Sequence, residues 1–488
     1  MGPRPYRRGN FCGIINTTIV SAALCAGERR MTLTLRDSIE KAPLLRAVAE
    51  YAAGRPARFH TPGHKGSPAS PLAELLGRAL PFDVTELPGT DSLYQADGPI
   101  LAAERLAART AGAGAALMSA GGATLCLQGM LGAVAGRGGG EIILARGSHR
   151  SAVNAAALLG LEPVWVWPRP FAGSGLPGRV CAADVAAALR AHPKAAAVLV
   201  TSPDYYGVMA DIAAIARVCR PFGVPLLVDN AHGAHLLCLE GGARHPLRLG
   251  AAMTCDSAHK TLPVLTGGAW LYLRDGAAAP AARASMALFG STSPSYLILL
   301  SLDIARAWME TEGAAAFAAL RERVAGLRRL YASLGGFTPP EAEMDPVRLT
   351  LDAASLGRTG EQAARILREN GVEPEMSDGR HVVLLPGPFQ PEEDFTRLER
   401  AMRRLPAGRP LPLPDMEPER PAVAMPLGQA LRAPWEMVPA DHAGGRVAAE
   451  SCCPCPPGVP LAVPGERITE NLAAAIKSYG IGCVKVVK

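Results

Sequence analysis

Two ionisable residues follow separate apolar segments and could share one site. Asp229 ends the segment PLLVD, and Lys260 lies in SAHK, directly after the segment MTCD. Their separation of 31 positions leaves room for one connection and one strand, so both side chains can reach the same crevice at the sheet edge. A buried carboxylate at a strand end needs a cationic or hydrogen-bonding partner to offset its desolvation, and the sequence therefore predicts one at this site.

A glycine-containing turn adds a third element. The turn Ala120–Thr124 separates a short apolar segment, AALMSA, from a helical one, TLCLQGMLGAVAG. Its backbone N–H groups and the start of the helix favour a phosphate, which implicates Gly121, Gly122, Ala123 and Thr124. Ser257 and His259 flank the lysine and could supply further phosphate donors.

The three elements together suit pyridoxal phosphate. A lysine can bond the cofactor aldehyde, a carboxylate can keep the ring nitrogen protonated, and the turn can anchor the phosphate. An aspartate at a strand end or a Gly-Gly turn is usually only structural, but this order of all three is hard to obtain by chance. A nucleotide site is less well supported. No G-x-x-x-x-G-K-[ST] motif occurs, and the nearest match to G-x-G-x-x-G, at Gly112 and Gly114, has Leu117 in place of the third glycine.

The segments around these residues predict an α/β fold. Short apolar segments alternate with helical ones, and the predicted strands are AALMSA, EIILA, PVWVW, AAVLV, PLLVD, AAMTCD and GAWLYL. Near-continuous apolar strands joined by helices require a mostly parallel sheet that is covered on both faces. A long helical region at about 296–334 and a second β/α set, with VRLTLD and HVVLLPG as strands, predict a smaller α/β domain.

Composition excludes several classes of protein. The 488 residues are 49% hydrophobic and 19% charged, with a formal net charge of +6, so a folded core is expected and a nucleic-acid arm is not. The sequence has no uninterrupted apolar stretch of about 20 residues, so no membrane span is predicted. The 11 cysteines are mostly scattered, which favours a reducing, cytoplasmic compartment. The predicted divisions are a disordered or misassigned extension (1–30), an N-terminal arm (31–100), a cofactor-binding large domain (101–300), a small α/β domain (301–408), a proline-rich linker (409–426) and a C-terminal portion (427–488).

Four long motifs resemble one family. FHTPGHKGS (59–67), LVDNAHGAH (227–235), SAHKTLPVLTGGA (257–269) and PCPPGVPLAVPGE (454–466) resemble the prokaryotic ornithine/lysine/arginine decarboxylases, which are fold type I pyridoxal-phosphate enzymes. The resemblance runs from about residue 36 to the C-terminus. It implies a large domain with a seven-stranded, mostly parallel sheet, smaller α/β C-terminal domains, and a homodimer or higher homo-oligomer with active sites at the subunit interface.

The resemblance also implies roles for single residues. Lys260 is similar to the family's cofactor-bonding lysine, Asp229 to the partner of the ring nitrogen, and His149 to the histidine that stacks on the ring. His232 is positioned to come near the ring oxygen, although a core-lining histidine is an equal reading. Glu450 matches an active-site glutamate of some relatives and is a candidate to meet the substrate's distal cation. The chain departs from the family at the phosphate turn and at Asn230, Gly267 and Cys455, which leaves the substrate open.

The predicted reaction is α-decarboxylation of lysine, arginine or ornithine, with His149 or Lys260 as the proton donor at Cα. An aminotransferase or aldolase-type lyase is the alternative, and Arg348 could then clamp the substrate carboxylate. A non-catalytic regulator of a decarboxylase is a third reading, which retention of the lysine disfavours. The cluster Cys452, Cys453 and Cys455 lacks zinc spacing, and His60, His64 and Lys65 fit an interface better than a metal, so no metal site is predicted.

Overall fold

A computed structural model describes residues 35–136, 140–171, 173–406, 408–413 and 419–488. The predicted N-terminal extension, residues 1–30, lies outside the described residues. Most of the chain up to residue 333 folds around one large sheet. Its strands are β1 (Ala115–Ser119), β2 (Gly140–Ala145), β3 (Leu161–Val166), β4 (Val198–Thr201), β5 (Leu226–Asp229), β6 (Met253–Asp256) and β7 (Ala269–Leu273).

The strand order in this sheet is β1-β7-β6-β5-β4-β2-β3. β7 is antiparallel to both of its neighbours, and the remaining pairs, from β6 across to β3, are parallel. The seven-stranded, mostly parallel sheet and its seven predicted strands are therefore confirmed. Every residue of β5, β6 and β7 is buried, as expected for strands with helices on both faces.

Helices precede, connect and follow these strands. They are α1 (Leu35–Lys41), α2 (Pro43–Ala53), α3 (Leu72–Leu76), α4 (Pro99–Ala111), α5 (Gly122–Val134), α6 (Arg150–Leu158), α7 (Ala182–Ala191), α8 (Ile212–Cys219), α9 (Pro246–Leu249), α10 (Ala279–Phe289), α11 (Tyr296–Trp308) and α12 (Ala314–Ser333). The long helical region predicted at about 296–334 is α11 and α12, joined by one π-helical turn at Met309–Gly313.

Two smaller sheets follow. β8 (Leu349–Asp352), β9 (Met376–Ser377) and β10 (His381–Leu384) form an antiparallel sheet in the order β8-β10-β9, with α13 (Gly360–Glu369) and α14 (Glu392–Met402) beside it. The last part of the chain contains α15 (Leu427–Arg432), β11 (Trp435–Pro439), α16 (Glu470–Ser478) and β12 (Cys483–Val487), with β11 antiparallel to β12. Both smaller units contribute side chains to the cavity described next.

Candidate active site

The carboxyl ends of the parallel strands open into a cavity of about 1130 Å³. Asp229 ends β5 and pairs in register with Thr201, the last residue of β4. Lys260 follows β6 in a single 3-10 turn, Ala258–Lys260. Asp229, Thr201 and Lys260 all line the cavity. The structure thus brings together the aspartate and the lysine that sequence spacing placed at one edge of the sheet.

Asp229 is a buried residue of the cavity lining with two close partners. The residue is only 2% exposed, and its Oδ1 accepts a hydrogen bond from Ala231 N at 3.1 Å. The thiol of Cys255, on the neighbouring strand β6, lies 3.4 Å from the same oxygen. Both contacts hold the Oδ1 atom, and both partner residues are themselves buried.

Lys260 lies in surroundings that favour its neutral amine. Its Nζ is 2.9 Å from Nε2 of His232 and 5.9 Å from the ring centroid of Tyr205. Burial lowers the pKa of Lys260, and the nearby Arg348 charge lowers it further, although Asp229 acts in the opposite direction. A lysine with a lowered pKa offers more of its nucleophilic form near neutral pH, which is what bonding to an aldehyde requires.

The start of α5 lines one part of the cavity. Gly122, Ala123 and Thr124 line it together with Ser257 and His259. The first-turn N–H groups of a helix lack intrahelical acceptors and attract a phosphate. Gly122 has φ +68°, a conformation that favours glycine.

The turn before α5 is fixed by Ser119. Its hydroxyl accepts from Gly121 N at 3.1 Å and donates to Gly122 O at 3.0 Å. Gly121, which the sequence also suggested, is not among the cavity-lining residues, and a Cβ on it would meet Leu125 at 3.0 Å. We infer that Gly121 allows the turn to pack on the helix and that the residues after it face the ligand.

His149 caps α6 and faces the same cavity. Its Nδ1 accepts the N–H of Ser151 at 3.2 Å and lies 2.7 Å from the Ser151 hydroxyl. A backbone N–H can only donate, so Nδ1 carries no hydrogen and the neutral ring holds its hydrogen on Nε2. Burial lowers the pKa of His149, which keeps the ring neutral near pH 7.

Several cavity residues escaped the sequence analysis. Thr201, Asp204 and Tyr205 follow or end the predicted strand AAVLV and line the cavity. Burial raises the pKa of Asp204 to about 7, even though its Oδ1 accepts the Val208 N–H at 2.8 Å. The strand-end argument that selected Asp229 applies equally to β4, so the segment TSPDYY carried a signal that could have been used.

Arg348 is buried behind the cavity and does not line it. The residue is 1% exposed, and its guanidinium donates to Tyr205 O at 3.0 Å and to His232 Nδ1 at 3.2 Å. The alternative role suggested by the sequence, a clamp for the substrate carboxylate, therefore finds no support in this geometry.

Glu450 is not brought to the cavity. It forms an ion pair with Lys485 at 3.0 Å and is absent from the residues that line the cavity of its own chain. Cys453 and Cys455 do line it, and Cys452 is buried.

The histidines of the N-terminal motif have partners within that segment. His64 Nε2 lies 3.1 Å from Asp83, and His60 contacts the hydroxyl of Tyr51. Within the described ranges, no group of three or more His, Cys, Asp or Glu side chains is arranged to hold a metal ion. Among the same residues, no helix is long and apolar enough to cross a bilayer.

Comparisons with known proteins show the family of this chain. The family model "Orn/Lys/Arg decarboxylase, major domain" matches residues 42–338, and the model of the family's C-terminal domain matches 409–479. The chain belongs to the Orn/Lys/Arg decarboxylase family. It is 31% identical over 468 residues to an arginine decarboxylase of Bacillus subtilis, covering 91% of this chain and 95% of that one. An arginine decarboxylase of Halalkalibacterium halodurans is 32% identical over 460 residues, covering 90% and 93%.

A solved structure supports the fold independently. Lysine decarboxylase A from Pseudomonas aeruginosa superposes with a TM-score of 0.78 at 21% sequence identity, covering 93% of this chain and 81% of the other. At this identity the likeness shows the fold, a large mostly parallel sheet followed by smaller C-terminal units.

Proposed function

We propose that this protein is a pyridoxal-phosphate-dependent decarboxylase that converts a basic amino acid to its amine and CO2. The observation that carries the proposal is the placement of Lys260, Asp229 and the N-terminus of α5 around one cavity in a chain of this family. The first supplies an amine, the second a carboxyl group and the third an anion site. These are the three groups that the cofactor's aldehyde, ring nitrogen and phosphate need.

The remaining residues of the cavity fit the cofactor. The hydroxyl of Thr201 is buried and has no hydrogen-bond partner within the described part of the chain. A buried polar atom without a partner is costly, and a polar group of a bound ligand would satisfy it. Lys260, Asp229 and Thr124 would hold the cofactor at its aldehyde, nitrogen and phosphate. When bound, it accepts the electron pair left as the bond between Cα and the carboxylate breaks.

Protons are supplied by residues of this chain. CO2 departs without a proton, so Cα must gain one for the amine to form. Two groups in the cavity can deliver it once they are protonated, His149 as the imidazolium and Lys260 as the ammonium. Both are fixed by neighbours, since Ser151 orients the imidazole and His232 contacts the lysine Nζ.

The proposed substrate class is a basic amino acid. Arginine is tested first, because the two relatives described above are named arginine decarboxylase. Besides Asp229, the carboxyl side chains that line the cavity are Asp204, Glu361 and Asp378. The Tyr206 hydroxyl donates to Asp378 at 2.7 Å, and that carboxyl also accepts two backbone N–H groups. Glu361, in the first turn of α13, is exposed at the cavity and is the carboxyl best placed to meet a distal cation.

An aminotransferase would be expected to hold the substrate carboxylate with an arginine. Arg348 was the candidate, but its guanidinium is turned toward Tyr205 O and His232. A decarboxylase gains nothing by stabilising that carboxylate with a strong ion pair, because the group must be lost as neutral CO2. The geometry therefore favours decarboxylation over amino transfer.

We also propose a homodimer in the cytoplasm. Phe59, Leu75 and Leu288 are large apolar side chains with exposures of 99%, 81% and 81%, and a second copy would cover such surfaces. The nine cysteines of the described residues are all free, which supports a reducing compartment. Sedimentation equilibrium tests the assembly, and a monomer at micromolar concentration would contradict it.

Two measurements test the proposed function. Borohydride treatment of the protein with pyridoxal phosphate is expected to leave a reduced adduct on the peptide that carries Lys260, and Lys260→Ala is expected to lose it. Incubation with arginine, lysine and ornithine, read by mass spectrometry, is expected to show at least one amine product. A keto acid without CO2 would favour amino transfer instead. A labelled Lys260 with no amine from any of the three substrates would refute the substrate class alone.

A further inference from the structure

A buried chain of polar groups runs from the edge of the three-stranded sheet β8-β10-β9 to Lys260. Asp345 and Arg348 lie just before β8, at 3.7 Å from each other, and both are at most 1% exposed. The Arg348 guanidinium reaches Nδ1 of His232 with both terminal nitrogens, at 3.3 Å and 3.2 Å. On the other side of the same ring, His232 Nε2 lies 2.9 Å from Lys260 Nζ.

The positions of the hydrogens follow from the donors. A guanidinium has five N–H donors and no acceptor, so both contacts require an unprotonated Nδ1 on His232. A neutral imidazole then carries its hydrogen on Nε2 and donates it toward Lys260. An ammonium group has no acceptor, so the 2.9 Å contact is a hydrogen bond only if Nζ is the neutral amine.

We propose that Arg348 is a positioning residue that fixes His232 as the Nε2–H tautomer and thereby holds Lys260 as a neutral amine ready to bond an aldehyde. This proposal deepens the proposed function, since it concerns the same lysine. It assigns to Arg348 a role through His232, with no contact to substrate or cofactor.

Packing leaves Arg348 little freedom to do anything else. Its Nη1 donates to Tyr205 O at 3.0 Å, and its own carbonyl accepts from Arg328 at 2.7 Å. A Cβ on Gly207 would lie 2.5 Å from the Arg348 Cγ, so only glycine lets the side chain pass. Asp345 is itself fixed by His235, whose Nε2 lies 2.9 Å from its carboxyl group. The paired contacts of Arg348 with His232 Nδ1 are therefore supported by residues of the large-sheet unit and of the segment just before β8.

The surrounding charges keep His232 neutral and act on Lys260 in both directions. Burial, followed by the charges of Lys260 and Arg348, holds the pKa of His232 well below its usual range, so the ring stays neutral. The ionisable groups that face His232 include Lys260, Arg348, Tyr205, His149 and His235. Those that face Lys260 include His232, His149, Tyr205, Asp229, Arg348, Glu375 and Cys255. Of these, Asp229, Glu375 and Cys255 favour the charged lysine, and Arg348 opposes them.

The wild-type chain tests the tautomer without any substitution. In full-length protein freed of cofactor and labelled with ¹⁵N-histidine, the His232 signals are assigned by their loss in His232→Gln. Nδ1 is expected at the shift of an unprotonated nitrogen and Nε2 at that of a protonated one, near pH 7.5. The opposite pair of shifts, or a doubly protonated ring, would overturn the proposal.

The lysine is tested by its reactivity. Trace reductive methylation of the cofactor-free chain, followed across pH 6–10 by mass spectrometry of the Lys260 peptide, gives the midpoint at which the amine loses its proton. Arg348→Met is expected to raise that midpoint by about one pH unit, which slows labelling at pH 7.5 about tenfold and leaves the rate at high pH unchanged. Arg348→Lys keeps the positive charge but cannot place two nitrogens against His232 Nδ1. Its midpoint is expected to lie between those of wild type and Arg348→Met.

A second variant separates this role from simple support of the fold. In a His232→Gln background, Arg348→Met is expected to have a smaller effect on labelling, because only the direct action of the Arg348 charge on Lys260 remains. Equal effects in both backgrounds, or an unchanged midpoint in a variant with native circular dichroism, would contradict the proposal. If Arg348→Met does not fold, the midpoint of Arg348→Lys and the ¹⁵N shifts of His232 in the wild-type chain still test the proposal. Failure of these titrations leaves the borohydride adduct unaffected, so the two proposals fail separately.

Discussion

The α-carbon of Gly458 lies against the imidazole of His149. A Cβ built on Gly458 would be 2.6 Å from Nε2 and 2.7 Å from Cδ2 of the ring, closer than real contacts allow. Arg150 N donates to Gly458 O at 2.9 Å, so the glycine is also tied to the start of α6. The C-terminal segment thus bounds the space in which His149 can face a ligand.

Gly458→Ala is expected to displace His149 and to weaken cofactor binding about tenfold or more. The new methyl group would occupy the place of the ring, and the positive φ of +73° adds backbone strain of about 1 kcal/mol or more. Equilibrium dialysis against pyridoxal phosphate measures the binding. Gly445→Ala is the matched control, because Gly445 has a similar φ of +77° with nothing within 4 Å. Equal losses in both variants would assign the effect to backbone strain alone.

Asp229→Asn is expected to lower kcat by about a hundredfold or more and to leave the borohydride adduct on Lys260 in place. An amide cannot keep the ring nitrogen protonated by charge, whereas the lysine amine remains available to bond the aldehyde. Steady-state kinetics and peptide mass spectrometry measure the two effects. Asp441→Asn serves as the control, since Asp441 pairs with Lys477 at 2.6 Å on the surface. A kcat within threefold of wild type would contradict the proposed role of Asp229 at the ring nitrogen.

Glu361→Gln is expected to raise KM for arginine by about 3- to 10-fold with kcat largely retained, because a neutral amide loses the charge-assisted hydrogen bond to the distal cation. Glu450→Gln is the comparison, and its loss of an exposed pair with Lys485 should cost less than about 1 kcal/mol of stability. A larger KM effect for Glu450→Gln than for Glu361→Gln would return the substrate role to Glu450, acting from a neighbouring subunit.

The stability of the protein should depend on pH through Asp204. Its pKa is raised to about 7 in the folded chain from an ordinary value of 3.8, so the folded state binds the proton more tightly than the unfolded state. The resulting stabilisation is complete below the unfolded pKa and is lost as pH rises through the folded one. Relative to Asp204→Asn, wild type should lose up to about 2 kcal/mol between pH 5.5 and 8, measured by urea unfolding. A difference that is independent of pH would contradict the raised pKa.

The sheet and its strand-end residues were predictable because the signals are local. Apolar segments such as PLLVD predict buried strands, and the chain order of Asp229 and Lys260 is enough to place both at one edge. The start of α5 was equally readable, since a Gly-Gly turn between a strand and a helix has few other conformations.

The partners of these residues could not be found in the same way. Arg348 meets His232 across 116 positions of sequence, and Gly458 meets His149 only because a later unit folds back over the sheet. Glu450 was predicted to lie at the site from its match to a motif position. Such a match does not reveal that its side chain pairs with Lys485 instead. Such contacts are set by how separate units dock, and no periodicity or spacing records that.

The lining of the cavity extends along the chain from Gly122 to Ile481. A nascent chain on the ribosome can therefore complete its sheet, its lysine and its aspartate while the wall supplied by residues 453–461 has not yet been synthesised. The proposed cofactor is therefore expected to be held firmly only after residues 453–461 have been synthesised and have folded onto the sheet.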